Sequence, residues 1–136
     1  MKGRTKMKKK QIEDATASPI QLVYKGEDIE NNIVKAKFDD PIIKKVAFNH
    51  RCSALIKTGV EFSIDADHKL CYRLIESLSD KGLIALNAPG HLSSGHLNVM
   101  ILNVGREIVE VKDGDPIVEI WVEKKYQFDL IKSLEG

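Results

Sequence analysis

The side chains best suited to chemistry fall in two short stretches, His91–His96 and Asp65–His68. His91 and His96 lie five positions apart with Ser94 between them, a spacing that suits a metal ion or a hydroxyl–imidazole pair. A metal centre needs two further ligands, and His50 and His68 are the only other histidines. A Ser94–His96 nucleophile needs an acid to orient the ring, and none adjoins it. Asp65 and Asp67 form an acidic turn that reads as a weak divalent-cation site or, more commonly, as a solvated loop. Cys52 and Cys71 are 19 positions apart without CxxC spacing; they read as two reduced, buried thiols of a cytosolic chain, with a disulfide as the alternative. These patterns assign no catalytic residue and no metal ligand.

Charge is distributed unevenly. Residues 1–10 carry six cations (Lys2, Arg4, Lys6, Lys8, Lys9 and Lys10) and no acid, while the remainder holds 15 basic against 20 acidic residues. A basic arm on a mildly acidic domain can dock on nucleic acid or on an acidic protein surface through charge alone. Its plainer reading is a solvated tail. No run approaches the roughly 18 consecutive apolar residues that span a bilayer. The basic start leads into Gln11-Ile12-Glu13-Asp14 and not into an apolar signal core. The expectation is therefore no membrane contact and a cytoplasmic location, or the virion for a viral protein.

The elements that must position these residues read as strands. At 136 residues, 43% of them apolar, the chain suits one folded domain and is too apolar for disorder. Strands are expected near Ile20–Tyr24, Ile33–Phe38, Ile42–Phe48, Ala54–Ile56, Val60–Ile64, Leu70–Ile75, Gly82–Leu86, His96–Val104, Glu107–Val111, Ile117–Val122 and Gln127–Ile131. Glu107–Val111 alternates with period two, whereas Val99–Leu102 is apolar throughout and suits a strand buried on both faces. Asp113-Gly114, Gly105 and Pro89-Gly90 supply turn chemistry between them. One helix is expected within Tyr72–Lys81, where Leu74 and Leu78 fall four apart. The division is a basic arm at 1–17, a β domain at 18–125 and a C-terminal segment at 126–136. Many short strands at even spacing give an all-β sandwich or barrel.

The stretch Gly82-Leu83-Ile84-Ala85-Leu86-Asn87-Ala88-Pro89-Gly90, followed by Gly95–Val104-Gly105 and by Asp113-Gly114-Asp115-Pro116-Ile117-Val118-Glu119-Ile120, resembles the core of the dUTPase family. Ala54-Leu55-Ile56-Lys57-Thr58-Gly59-Val60 is similar to that family's "ALVPTGI" segment, about 23 residues before Gly82. The likeness covers roughly residues 42–122 and rests on turn glycines, asparagines and strand lengths. Glu76-Ser77-Leu78-Ser79-Asp80-Lys81-Gly82-Leu83 is loosely similar to "SSLARLGL" of the related dCTP deaminases. The resemblance implies a distorted jelly roll that forms homotrimers, with active sites built between subunits.

The family's chemistry is not carried over with its turns. The loop "GxIDxxYxG" supplies the family's general base and its sugar-stacking Tyr. Here the loop is Gly90-His91-Leu92-Ser93-Ser94-Gly95, three residues shorter, with neither Asp nor Tyr. A serine hydroxyl is no general base near neutral pH without a partner. The phosphate-binding "PRSG" corresponds to Leu74-Ile75-Glu76-Ser77, where Glu76 would repel a triphosphate. "AGxDL" corresponds to Asn32-Ile33-Val34-Lys35-Ala36, with no acid, and "RIAQ" to Pro116-Ile117-Val118-Glu119. The catalytic Glu of the deaminases corresponds to Met100, and residues 126–136 lack the Gly-rich arm that closes over nucleotide.

The reading is a non-catalytic dUTPase-fold oligomer, an assembly or interaction module without cofactor, with a viral or phage virion as its expected setting. The alternative is a divergent dUTP or dCTP hydrolase, or a nucleotide-binding protein, using Mg²⁺ and lined by Ser77, Asp80, Ser93 and Ser94. A third is a β module that binds a regulator or nucleic acid directly.

Overall fold

The computed structural model describes residues 20, 22–86, 90–92 and 94–135. The basic arm with Lys2, Arg4, Lys6, Lys8, Lys9 and Lys10, the first three residues of the Asn87–Gly90 turn, and Ser93 lie outside the described residues. In chain order the elements are β1 (Val23–Gly26), β2 (Ile33–Lys35), β3 (Lys45–Phe48), β4 (Ser53–Ser63) and β5 (His68–Leu74). They continue with α1 (Glu76–Ser79), β6 (Leu83–Ala85), β7 (Gly90–Leu92), β8 (Gly95–Asn103), β9 (Val109–Lys112) and β10 (Pro116–Lys124). One four-stranded sheet has the order β2-β10-β5-β7 and the other β1-β4-β8-β6, and a β9-β3 ribbon completes the fold. Every ladder is antiparallel. The architecture is the all-β, distorted jelly roll that the resemblance implies.

Alternation decides which face each strand buries. Leu70, Tyr72 and Leu74 of β5, and Val118 and Ile120 of β10, join Ile56, Val60 and Phe62 of β4 and Leu97, Val99 and Ile101 of β8 in one core. Phe48 and Val111 of the ribbon enter the same cluster. Each such side chain contributes roughly 1.5–3 kcal/mol on burial. In β10 the register slips between Pro116 and Val118, and that bulge lets Ile117 and Val118 both bury although adjacent.

Several expectations are corrected. Thr58-Gly59 does not separate two strands: β4 runs unbroken for 11 residues, with a register shift against β8 between Lys57 and Glu61. Gly59, at φ +71°, absorbs the irregularity as a bulge rather than a turn. Val99–Leu102 is not buried on both faces, because Met100 and Leu102 point outward and are only half covered. The helix shrinks to four residues around buried Leu78, while Tyr72–Leu74 belongs to β5. Ile42 and Ile43 leave the expected strand because the Asp40 carboxylate accepts both their N–H groups, at 2.7 and 2.8 Å. Residues 127–131 form no strand, and β7 appears where only a loop was expected. Lys112–Asp115 makes its turn, yet β9 and β10 pair with different partners and form no hairpin. Cys52 is exposed, since it follows a turn at Arg51 (φ +65°); Cys71 is buried, and both thiols are free. Among the described residues no helix is long and apolar enough to cross a membrane.

Candidate functional site

The two halves of the candidate nucleotide site sit at opposite ends of β5. Ser77 lies in the first turn after β5, within α1, and Asp80 caps the helix C-terminus. Ser94 lies at the far end, where β7 pairs with β5 from Leu70↔Leu92 to Tyr72↔Gly90. With ~3.3 Å per residue along the strand, Ser77 and Ser94 are about 20 Å apart in one chain. Ser94 is also occupied: its Oγ accepts from Ile64 N–H at 3.0 Å and approaches Ile64 O at 3.3 Å, tying the β7–β8 turn to the end of β4. It makes no pair with His96, which stands 4.0 Å from Glu61 instead.

The remaining family positions are equally committed. In the turn before β10, Asp113 Oδ1 accepts from Phe38 N–H and Asp115 Oδ2 from Lys112 N–H, each at 2.8 Å. Gly114 N–H donates to Ala36 O at 2.8 Å, and Ala36 N–H donates to Asp115 O at 2.8 Å, so this turn seals β2 against β10. Glu119, where the family has a neutral amide, accepts from Arg73 Nε and Nη2 at 3.2 and 3.0 Å. Arg73 also lies 5.8 Å over the half-buried Trp121 ring, whose Nε1–H donates to Glu123 at 2.7 Å. Trp121 thus sits among charged partners, with Arg73 over its ring and Glu123 accepting from its N–H. Directly across the ladder from it, burial pushes the Cys71 thiol up, and Glu123 adds to the shift. Glu76 is exposed, and Met100 stands opposite Leu55 on an apolar face.

The other sequence candidates have structural duties. His68 Nδ1 and Asp65 Oδ1 are 2.7 Å apart, and Asp65 also accepts from Asp67 N–H at 2.8 Å. That hydrogen bond with His68 holds the Asp65 carboxyl below its ordinary range. His50 Nδ1 bonds Gly105 O at 2.6 Å. Among the described residues no three of His, Cys, Asp or Glu gather as a metal site. A groove of about 560 Å³ crosses β1, β4 and β8, lined by Lys25, Lys57, His96, Glu61, Asp39 and Asn98. Its Lys25 pairs with Glu61 at 3.4 Å. Asp80 borders a second groove, about 520 Å³, with Lys81, Glu107, Glu110, Lys112 and Asp115.

Two buried polar side chains escaped the sequence reading. Thr58 Oγ1 donates to Leu97 O at 2.7 Å, and Asn103 Nδ2 donates to the carbonyls of Phe48 and Glu107. The signal for Asn103 was present in Asn103-Val104-Gly105, which marks a turn but does not disclose a buried side chain.

No protein-family profile matches the chain. Over 100 residues, 71% of the chain, it is 32% identical to the deoxyuridine 5'-triphosphate nucleotidohydrolase of Treponema denticola, spanning 67% of that protein. The chain belongs to the dUTPase family. A second such relative, from Ehrlichia canis, is 29% identical over 90 residues, and the matched part spans 59% of its length. Solved dUTPases share the fold. The EIAV enzyme superposes with a TM-score of 0.63 at 14% identity, over 85% of this chain and 98% of its own. A variant from Staphylococcus bacteriophage 80alpha, determined with dUpNHpp, gives 0.65 at 16% identity over 85% and 98%. The Streptococcus mutans dUTPase gives 0.60 at 18% identity over 79% and 88%. At these identities the solved structures speak for the dUTPase fold alone.

Proposed function

We propose that this dUTPase-family chain is a non-catalytic homotrimer that serves as an interaction or assembly module, in the cytoplasm or in a viral or phage particle. The observation that carries the reading is the loop Gly90–Gly95. The family's base and sugar-stacking ring would come from it, and here it is three residues shorter and holds neither. Its flanks are committed to the β5–β7 ladder and to the Ser94–Ile64 tie. The phosphate end offers Glu76 in place of a cation. Asp113 and Asp115, in the turn before β10, each commit one carboxylate oxygen to a backbone N–H. In this reading the arm Lys2–Lys10 docks the trimer on nucleic acid or on an acidic protein, and residues 18–125 form the module.

A second reading is favoured by the two relatives named as deoxyuridine 5'-triphosphate nucleotidohydrolases. It makes the chain a divergent dUTP or dCTP hydrolase with Mg²⁺, in which Ser77 and Asp80 of one copy would meet Ser93 and Ser94 of another. The separation of the two groups within one chain is compatible with a site shared between copies. One experiment divides the readings. The purified protein is incubated with dUTP or dCTP and Mg²⁺ while pyrophosphate and deaminated product are followed and mass is taken by light scattering. The module reading expects three times the 15.3 kDa chain mass and no turnover above buffer. Turnover that disappears in Asp80→Asn would replace it with the hydrolase.

A further inference from the structure

The outer face of the β2-β10-β5-β7 sheet carries the chain's only tryptophan within a basic row. Leu70, Tyr72 and Leu74 of β5 and Val118 and Ile120 of β10 enter the core, so the alternate residues Lys69, Arg73, Glu119, Trp121 and Glu123 face outward. In the ladder Trp121 stands opposite Cys71, with the pair Arg73↔Glu119 on one side and Lys69↔Glu123 on the other. Both acids are engaged. Glu119 accepts from Arg73 Nε and Nη2 at 3.2 and 3.0 Å. Glu123 accepts from Trp121 Nε1–H at 2.7 Å and lies 3.8 Å from Lys69 Nζ. At the end of this face a groove of about 740 Å³ opens between Lys69, Glu123, Lys124, Lys125 and Tyr126. Lys124 and Lys125 are exposed and have no ion pair among the described residues. The two grooves described above match or outnumber their lysines with acids, whereas this one sets three lysines against one glutamate.

We infer that single-stranded nucleic acid lies along this row, with a base against Trp121 and its phosphates on Lys69, Lys124 and Lys125. The inference deepens the interaction-module reading and rests on it: it adds to the arm a contact on the folded domain and names the form of nucleic acid. An aromatic ring for the bases, with cations that follow the backbone, holds a strand without regard to its sequence. Arg73, fixed by Glu119 with its guanidinium 5.8 Å from the centre of the Trp121 ring, sets a second planar group at the same place. From Trp121 to Tyr126 the extended chain runs about 17 Å, room for about four nucleotides. A duplex keeps its base faces inside the stack and has none to give the ring. An acidic peptide would meet the lysines but brings no flat face for Trp121.

The test uses the full-length chain, with its single tryptophan as reporter. Labelled oligothymidylate of about 20 nucleotides is titrated in while tryptophan emission and the anisotropy of the label are followed. Saturable quenching is expected, and it should persist when Lys2, Arg4, Lys6, Lys8, Lys9 and Lys10 are all changed to Gln. Trp121→Leu should weaken binding roughly tenfold, and Trp121→Phe, which keeps a ring, should recover most of that loss. Lys124→Gln/Lys125→Gln should reduce the slope of log affinity against log salt by about 1.4, two contacts at about 0.7 each. Emission unchanged at saturation, or binding lost in the arm variant, overturns this surface and leaves the arm as the docking element. A duplex of equal length bound as tightly overturns the choice of single strands. Quenching by polyglutamate and not by the strand overturns it in favour of an acidic protein. Pyrophosphate released from dUTP defeats the module reading itself, a failure read in the turnover assay and distinct from unchanged emission.

Discussion

Asn103 Nδ2 donates to the Phe48 carbonyl at 2.8 Å, joining the end of β8 to the end of β3 across 55 positions of sequence. The same amide group donates to Glu107 O at 2.9 Å, and its Oδ1 accepts from Gly105 N–H at 2.9 Å. All of this happens at a side chain with no exposed surface. Asn103→Leu would remove the side-chain partner of the buried Phe48 carbonyl and of the part-buried Glu107 carbonyl and Gly105 N–H. The expected loss is about 2–4 kcal/mol, read as a lower midpoint in urea unfolding with an unchanged slope.

Thr58 repeats the arrangement on a smaller scale. Its Oγ1 donates to Leu97 O at 2.7 Å and accepts from Val60 N–H at 3.3 Å, inside the bulge of β4. Thr58→Val keeps the shape and removes both bonds. A loss of about 1–2 kcal/mol is expected, and Thr58→Ser should recover most of it. Thermal melts of the pair measure the difference.

Gly82 and Gly105 touch backbone to backbone. A Cβ on Gly82 would stand 2.7 Å from Gly105 Cα and 2.8 Å from its N, at φ +99°. Neither neighbour is a side-chain tip that can swing away. Gly82→Ala should therefore cost about 2–3 kcal/mol, whereas Gly114→Ala meets no atom and incurs only the strain of φ +86°. Comparing the two melts isolates the collision.

The Arg73–Glu119 pair is expected to matter little. Both side chains are well exposed, 67% and 44%, so Glu119→Gln should change stability by only about 0–1 kcal/mol. Pro116→Arg with Glu119→Gln restores two of the family's residues, yet no turnover of dUTP is expected, because Gly90–Gly95 still lacks an acid. A pyrophosphate assay on the double variant checks this.

Acid stability follows from Asp65. The hydrogen bond with His68 lowers its folded pKa below the ordinary 3.8. A depressed carboxylate supports the fold above its unfolded pKa, and the support fades as pH falls through 3.8 and then through the lower folded value. Asp40, lowered by the N–H groups of Ile43 and Ile42, behaves alike. Asp65→Asn should lower the melting temperature in the neutral range, and the difference from the unsubstituted protein should close as pH falls below about 4.

The sheet faces were legible because period-two alternation survives tertiary packing: Val109 and Val111 are buried and Glu110 and Lys112 exposed. Alternation in Gln127–Ile131 misled, because a strand needs a ladder partner and none pairs with these residues among the described ones. Thr58-Gly59 carried turn chemistry, but pairing with β8 on both sides overrode it. Cys52 has a residue type usually found inside, yet it follows a reversal at Arg51 and stays at the surface. The candidate nucleotide residues were harder to judge. Ser77, Asp80 and Ser94 are polar residues near turns, and nothing in their spacing discloses that the fold sets them at opposite ends of one strand. Asn103 was legible as a turn residue but not as a buried hydrogen-bonding one, because its partners Phe48, at the end of β3, and Glu107, in the loop after β8, are far apart in sequence.

The unbroken strand Ser53–Ser63 has a consequence for biosynthesis. It is flanked by β1 for Val60–Ser63 and by β8 for most of its length, and β8 is translated some 40 residues later. While the ribosome makes the intervening segment, an 11-residue strand whose Ile56, Val60 and Phe62 belong in the core waits with one edge open. Nascent chains of this protein are thus most prone to cling to one another before residue 103 emerges, and a chaperone that shields that strand would raise the yield.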